Sequence, residues 1–231
     1  MIESPVDIER LVLKYGFLPF FRCGIENFSV EENTPDELWF SDEREGPWDW
    51  KGPVIVMGSV AYGKFFGRKA GFVSLDWLPD LMNYRREAYP IASPEEQAVY
   101  DTIVENESLI SNELKRLCGY VRQPAERMSP LERAYMKANR VKQPNSKSRF
   151  ESMINHLQMS TRVVVADFEY NYSKSGERYG WGKARYTTPE LMYDDLTLPN
   201  CAPEESFYRI AIHLSRLFPD TTRSTIVSLL R

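Results

Sequence analysis

Phe150, Met153, Ile154 and Leu157 fall at i, i+3, i+4 and i+7, which lines four apolar side chains along one stripe of an α-helix. The same period recurs near the C-terminus, where Phe207, Ile210, Ala211, Leu214 and Phe218 share a helical face before a last helix from Thr221 or Thr222 to Leu230. Between these regions the pattern turns to β. Arg162 to Tyr172 and Tyr179 to Thr187 predict a two-stranded ribbon, joined by the turn-forming segment Ser173-Lys174-Ser175-Gly176-Glu177-Arg178. Upstream, Ser93-Pro94-Glu95-Glu96 supplies an N-cap serine, a proline at the first helical position and a glutamate three residues after the serine. A second helical run covers Leu109 to Tyr120. Three helices and then a ribbon is the order of a winged helix-turn-helix, predicted over residues 91–190.

The first ninety residues read as a separate α+β module. Ser4-Pro5-Val6-Asp7 starts a helix through Leu11, Val12 and Tyr15, and Gly16 stops it. Val54–Met57, Val60–Phe66 and Lys69–Ser74 predict three short strands, the last two joined by Gly67-Arg68 as a tight hairpin. Ser74 then reads as the cap of a helix carrying Trp77, Leu78, Leu81 and Met82 and ending near Tyr84-Arg85-Arg86. Tyr89-Pro90-Ile91-Ala92 marks the boundary. The predicted fold class is therefore α+β: an N-terminal α+β module (1–90), a winged-helix domain (91–190) with a basic insert (121–145), and C-terminal helices (191–231).

Charge changes this picture in one place. Net charge is only −4, which argues against a dedicated polyanion binder, yet residues 121–150 hold eight Lys/Arg against two Asp/Glu. That local +6 sits just before the third helix, where a phosphate-facing surface belongs. The insert separates the second and third helices by about 25 residues, where an ordinary helix-turn-helix uses three or four. Ser129-Pro130-Leu131-Glu132 repeats the helix-start pattern, predicting a short basic helix through Asn139. Residues 1–60 are acidic, with twelve Asp/Glu against five Lys/Arg. No run approaches eighteen uninterrupted apolar residues and the N-terminus lacks a secretion-signal profile, so a cytoplasmic protein with no membrane partner is expected. Cys23, Cys118 and Cys201 are widely spaced and read as reduced packing residues.

With the apolar stripe of the third helix buried, its opposite face offers Lys147, Ser148, Ser152, Asn155 and Gln158 or His156. Asn and Gln suit adenine edges, while Lys and Ser suit phosphates. The DNA-binding set predicted on this basis is Arg140, Lys142, Lys147, Arg149, Ser152, Asn155 and Gln158, joined by Arg162, Lys174 and Arg178 from the ribbon. Catalytic signatures are thin. His156 and His213 are far apart, the histidines and cysteines have no zinc-ligand spacing, and no nucleotide- or nucleophile-loop motif occurs, so neither a metal nor a cofactor is expected. Asp167 and Glu169 share a face of the first ribbon strand, where they can pair with Lys183 or Arg185 or serve as paired carboxylates. The Trp39…Trp48-Asp49-Trp50 cluster reads as core aromatics or as a stack for an unpaired base.

Leu109-Ile110-Ser111-Asn112-Glu113-Leu114-Lys115, the third helix and Tyr179-Gly180-Trp181-Gly182 resemble the winged-helix modules of AlkZ-like bacterial proteins. More closely, Trp48-Asp49-Trp50-Lys51-Gly52-Pro53, Tyr62-Gly63-Lys64-Phe65-Phe66 and Asn83-Tyr84-Arg85-Arg86 are similar to segments of short AlkZ-related proteins, over nearly the whole chain. The AlkZ enzymes are DNA glycosylases that remove bulky alkylated bases with a Gln-x-Gln or Gln-x-Asp pair. Here Gln97, Gln123, Gln143 and Gln158 each lack a second Gln or an Asp two residues away, so no catalytic residue carries over. The resemblance thus implies fold and DNA association. The expected function is duplex-DNA binding, accessory to repair, without catalysis. A glycosylase for alkylated bases and a protein-interaction scaffold, with a protein partner or a second copy of the chain, are the alternatives.

Overall fold

The computed structural model describes residues 1–41, 43–120 and 146–231, and of 146 and 147 the backbone only. It is an α+β protein with two small antiparallel sheets. The basic insert, including Arg140, Lys142 and the helix expected through Asn139, lies outside the described residues.

Helix α1 (Pro5–Tyr15) begins where Ser4 accepts a bond from the Asp7 N–H and ends at Gly16. The chain then enters β1 (Phe17–Pro19), passes a short helix α2 (Val30–Asn33) and reaches α3 (Pro47–Val56). Strands β2 (Val60–Phe66) and β3 (Lys69–Ser74) close the first sheet in the order β1-β3-β2. Gly67 and Arg68 both have positive φ, 57° and 65°, which is the turn whose twist matches a tight hairpin. Helix α4 (Leu78–Ala88) comes next. Ser74 does not cap it: Ser74 finishes β3, fully buried, and the helix starts after Trp77.

The expected strand at Val54–Met57 is instead the end of α3. Pro47 occupies the first turn, and the Asp49 carboxylate accepts the Gly46 N–H at 3.1 Å, so the helix is nucleated upstream. Trp50 and Val54, four apart, are then buried on one side. Packing of that side overrides the β preference of Val54-Ile55-Val56 and the bond lost at Pro53.

The second half runs α5 (Pro94–Glu105), β4 (Ser108–Ile110), α6 (Ser111–Leu117), α7 (Ser146–Met159), β5 (Val164–Tyr172) and β6 (Arg178–Thr187). The ribbon expected over 162–187 is present as β5 and β6. It gains a third strand because Ser108, Leu109 and Ile110 pair with Thr187, Tyr186 and Arg185, which shortens the expected helix over Leu109–Tyr120. The sheet order is β4-β6-β5. A short turn α8 (Pro189–Met192), α9 (Pro203–Leu217) and α10 (Arg223–Leu230) complete the chain. No helix among the described residues is long and apolar enough to cross a membrane.

Two apolar cores result, and each mixes early and late residues. The first packs Phe20, Val54, Tyr62 and Phe72 with Phe150, Met153, Ile154, Leu157 and Tyr186. The second joins Phe17, Phe65, Leu78 and Leu81 to Val164, Ile210, Leu214 and Leu230.

Between them lies an exchange of arginines across the ends of α4 and α7. Arg85, fully buried, donates to the Met159 carbonyl at 3.3 Å and the Phe65 carbonyl at 2.8 Å. Arg86 donates to the Thr161 carbonyl at 3.4 Å. In return Arg162 donates to the carbonyls of Tyr89 at 2.7 Å and Arg86 at 3.1 Å. The carbonyls at the end of α4 are therefore met by Arg162, three residues past α7, and those at the end of α7 by arginines of α4, where the helix dipole favours positive charge. The β-bulge between Gly63 and Phe66 is served from the same place: Gln158 Oε1 accepts the Lys64 N–H at 3.2 Å, while Arg85 takes Phe65.

Replacing Arg85 with Met keeps the apolar stem but leaves two buried carbonyls without donors. At a cost of about 1–3 kcal/mol per orphaned group, the variant should lose on the order of 3 kcal/mol. Urea unfolding should show the midpoint falling with the slope unchanged; an unchanged midpoint would remove the arginine from this role.

Candidate functional site

The first turns of α3 and one face of the β5–β6 ribbon enclose a cleft of about 300 Å³, lined by Trp48, Asp49, Lys51, Tyr170, Arg178 and Trp181, together with Gly180 and Gly182. Gly46 fixes how α3 enters this site. A Cβ on Gly46 would lie 1.8 Å from the Leu38 carbonyl oxygen, so only glycine permits the approach. Trp48 then leans on Phe20 (5.3 Å between ring centres), Phe21 and Trp39 (both 5.9 Å), and meets Trp181 of the ribbon edge-on at 5.8 Å. Trp181 itself is 76% exposed, forming an open wall.

Phe168 and Tyr170, two apart in β5, bring their rings to the same face. The Arg178 guanidinium lies 3.4 Å over Tyr170 and pairs with Asp49 Oδ1 at 2.8 Å. Asp49 therefore caps α3 with one oxygen and holds the ribbon with the other. Lys51 is 8% exposed, its ammonium 4.1 Å from the Phe168 ring centre and 5.2 Å from that of Trp48. Among the described residues no carboxylate reaches ion-pair distance of it. Burial, reinforced by the Arg178 charge and opposed by Asp49, lowers its pKa to about 8. Trp48 Nε1 and Tyr170 Oη are buried without a hydrogen-bond partner among the described residues. Flat aromatic walls beside a carboxylate–guanidinium pair and an amine suit a planar or sugar-sized polar group.

The residues expected to bind DNA are scattered by the fold. Ser148, Arg149 and Ser152 lie on the N-terminal half of α7, where Arg149 is exposed and half-free of the core. Lys147 is in the same helix. Arg149 is ion-paired with Glu95 of α5 at 2.9 Å. Asn155 is half-buried at the inner end of the stripe, its Oδ1 without a partner among the described residues. Lys174 is exposed in the ribbon turn. Besides Arg149, three more of the expected side chains are engaged within the fold. Gln158 is 2% exposed and serves the β2 bulge, and Arg162 binds the end of α4. Arg178 belongs to the cleft. His156 Nδ1 faces Glu96 Oε1 at 2.5 Å, and His213 stacks on Trp77 with its ring centre 4.3 Å away.

Asp167 and Glu169 do not line the cleft. Glu169 pairs with Arg185 across the ribbon, and Asp167 accepts the Phe168 N–H at 2.7 Å. The sequence points to Trp48 and Asp49 but not to their convergence with Lys51 and Tyr170. The signal available was the alternation Phe168, Tyr170 on one strand face, matched by the Trp-Asp-Trp-Lys segment rich in both rings and charge.

A family model described as AlkZ related matches residues 2–231. No curated protein and no solved structure matches.

Lys51 carries a pH-dependent penalty. In the unfolded chain it titrates near 10.5 and in the fold at about 8, so between those values the unfolded chain holds more protons. Stability contributed at this site therefore rises as pH climbs through that window, and the penalty is complete below it. Lys51→Met should be more stable than the parent at neutral pH by up to ~3 kcal/mol, with the gap closing towards the alkaline end. Urea unfolding of both proteins at neutral pH and near pH 10 measures this; a gap that does not depend on pH would contradict it.

Proposed function

The chain belongs to the AlkZ-related family, and we propose that it is a duplex-DNA-binding protein with a repair-linked role. Residues 91–190 act in this reading as a winged helix, with α5, α6 and α7 as its three helices, β4 as the short strand and the β5–β6 ribbon as the wing. The order of elements and the sheet order β4-β6-β5 support it. The observation that carries it is the outward N-terminal half of α7, with Arg149 exposed, at the end of the basic run 121–150. In helix-turn-helix docking it is the N-terminal part of the recognition helix that meets base edges. In this reading the exposed Ser152 meets bases and the half-buried Asn155 reaches them only with its amide NH2, while Arg149, Lys147, Arg140, Lys142 and Lys174 supply phosphate contacts. The C-terminal half of α7 is taken up by β2 and α4 and acts as the anchor.

A second reading, a glycosylase for alkylated bases, is favoured by the cleft, where Asp49 and two tryptophans stand beside the wing. Incubation with alkylated duplex distinguishes the two: appearance of abasic sites supports the glycosylase, and tight binding without product supports accessory action.

Binding should fall steeply with salt, because each neutralised phosphate releases condensed counterion. Arg149→Ala should weaken binding to every duplex and flatten the slope of log affinity against log salt by about 1. Glu95→Gln, which frees Arg149 from a solvent-screened pair, should tighten binding by no more than about fivefold. Fluorescence anisotropy with labelled duplexes over a salt series reads both; absence of binding to any duplex at low salt would reject the proposal.

A further inference from the structure

Lys51 is chemically unlike the other described lysines. Its stem and ammonium are packed against Phe168 and Trp48, and it is 8% exposed, yet it lines an open cleft. Its neighbour Asp49 is committed twice, to the Gly46 N–H and to Arg178. An amine stripped of water, without a carboxylate of its own among the described residues and near a second cation, is held ready to lose its proton, which is how a lysine becomes a nucleophile near neutral pH. A lysine serving only as packing needs no cleft beside its ammonium. The partner for such an amine is a carbonyl carbon. If the protein sits on duplex DNA, as proposed above, the aldehyde that duplex presents is the ring-opened deoxyribose left where a base has been lost. A cleft of about 300 Å³ has room for that sugar.

We propose that Lys51 captures abasic deoxyribose in duplex DNA by condensing with its C1′ aldehyde. The neutral Nζ lone pair attacks C1′, forming the C–N bond as the carbonyl π electrons move to oxygen. The proton from nitrogen passes to that oxygen, and the carbinolamine hydroxyl, taking one further proton from solvent, leaves as water to give a protonated imine. Nothing is oxidised or reduced, and addition of water reverses the step. Asp49, whose charge Lys51 feels, offsets the positive charge of the imine, while Arg178 keeps the ribbon closed over the site.

The test rests on the DNA-binding reading and is arranged to separate the two. The full chain is incubated with a duplex bearing one natural abasic site and reduced with borohydride. The covalent product is mapped by peptide mass, and the pH dependence of trapping is followed. Binding of the same chain to a duplex with a tetrahydrofuran site, which has no aldehyde, is measured in parallel, and free 2-deoxyribose is trapped in a third arm. The expected result is an adduct on Lys51, with a rate rising through about pH 8, that falls roughly tenfold or more in a cooperatively melting Lys51→Arg variant. Binding to the tetrahydrofuran duplex without a trapped adduct, or with adducts spread over other lysines and unchanged by Lys51→Arg, overturns the proposal and leaves the DNA reading intact. Failure to bind either duplex, with free 2-deoxyribose still trapped on Lys51, overturns the DNA substrate while supporting the amine chemistry. Failure of all three arms overturns both.

Discussion

The exchange of arginines between α4 and α7 is the constraint on which the arrangement depends. A buried guanidinium is costly unless its donors are met, and Arg85 has no carboxylate partner among the described residues. Carbonyls at a helix end and at a strand bulge take its place at Nη1 and Nη2, while Nε has no partner among the described residues; the faces of Tyr84 and Tyr89 lie at 6.0 and 5.3 Å. Arg162 plays the same part at the end of α4, and Arg86 adds an ion pair to Glu190 at 2.5 Å. The asymmetry of hydrogen-bond energetics makes this a strong positional device. Any shift of α4 against α7 leaves buried donors and carbonyls unmet together, at about 1–3 kcal/mol each.

That fixed junction places two surfaces. Because the C-terminal end of α7 is clamped, Ser148, Arg149 and Ser152 towards its other end stand on a rigid base. Because Arg162 lies between α7 and β5, the start of the ribbon is fixed as well, and Phe168 and Tyr170 come over α3. The C-terminal helices are tied to the same motif from the far side, where Asn83 donates to the Cys201 carbonyl at 3.1 Å and to Ser206 at 2.9 Å, and Tyr84 packs on Phe207. Asn83-Tyr84-Arg85-Arg86 is thus a hub through which three parts of the chain are held.

Local signals in the sequence carried most of the elements. Caps at Ser4 and Ser93, the Gly67-Arg68 turn, the i, i+3, i+4, i+7 stripe of α7 and the amphipathic α9 all act within a few residues, and each element formed where those signals placed it. Long-range packing decided the exceptions. Val54–Val56 became helical because Trp50 and Val54 share a buried face, and Leu109 joined a strand because Tyr186 lies beside it. The site was legible only in pieces for the same reason. Gln158 and Arg162 carry the residue types that read DNA, but a bulge and a helix end some seventy or more positions away claim them first. Asp49 and Arg178 each look like ordinary surface charge until the ribbon folds back onto α3. Nothing in spacing or composition encodes such a meeting.

Hydrogen exchange of the full chain, with and without a short duplex, tests most directly whether DNA lies along the free half of α7 and the ribbon. Slowed exchange is predicted at residues 148–155 and in the ribbon turn 173–178, with α9 and α10 unchanged. Protection confined to α9 and α10, or none at α7 while duplex is bound, would contradict it.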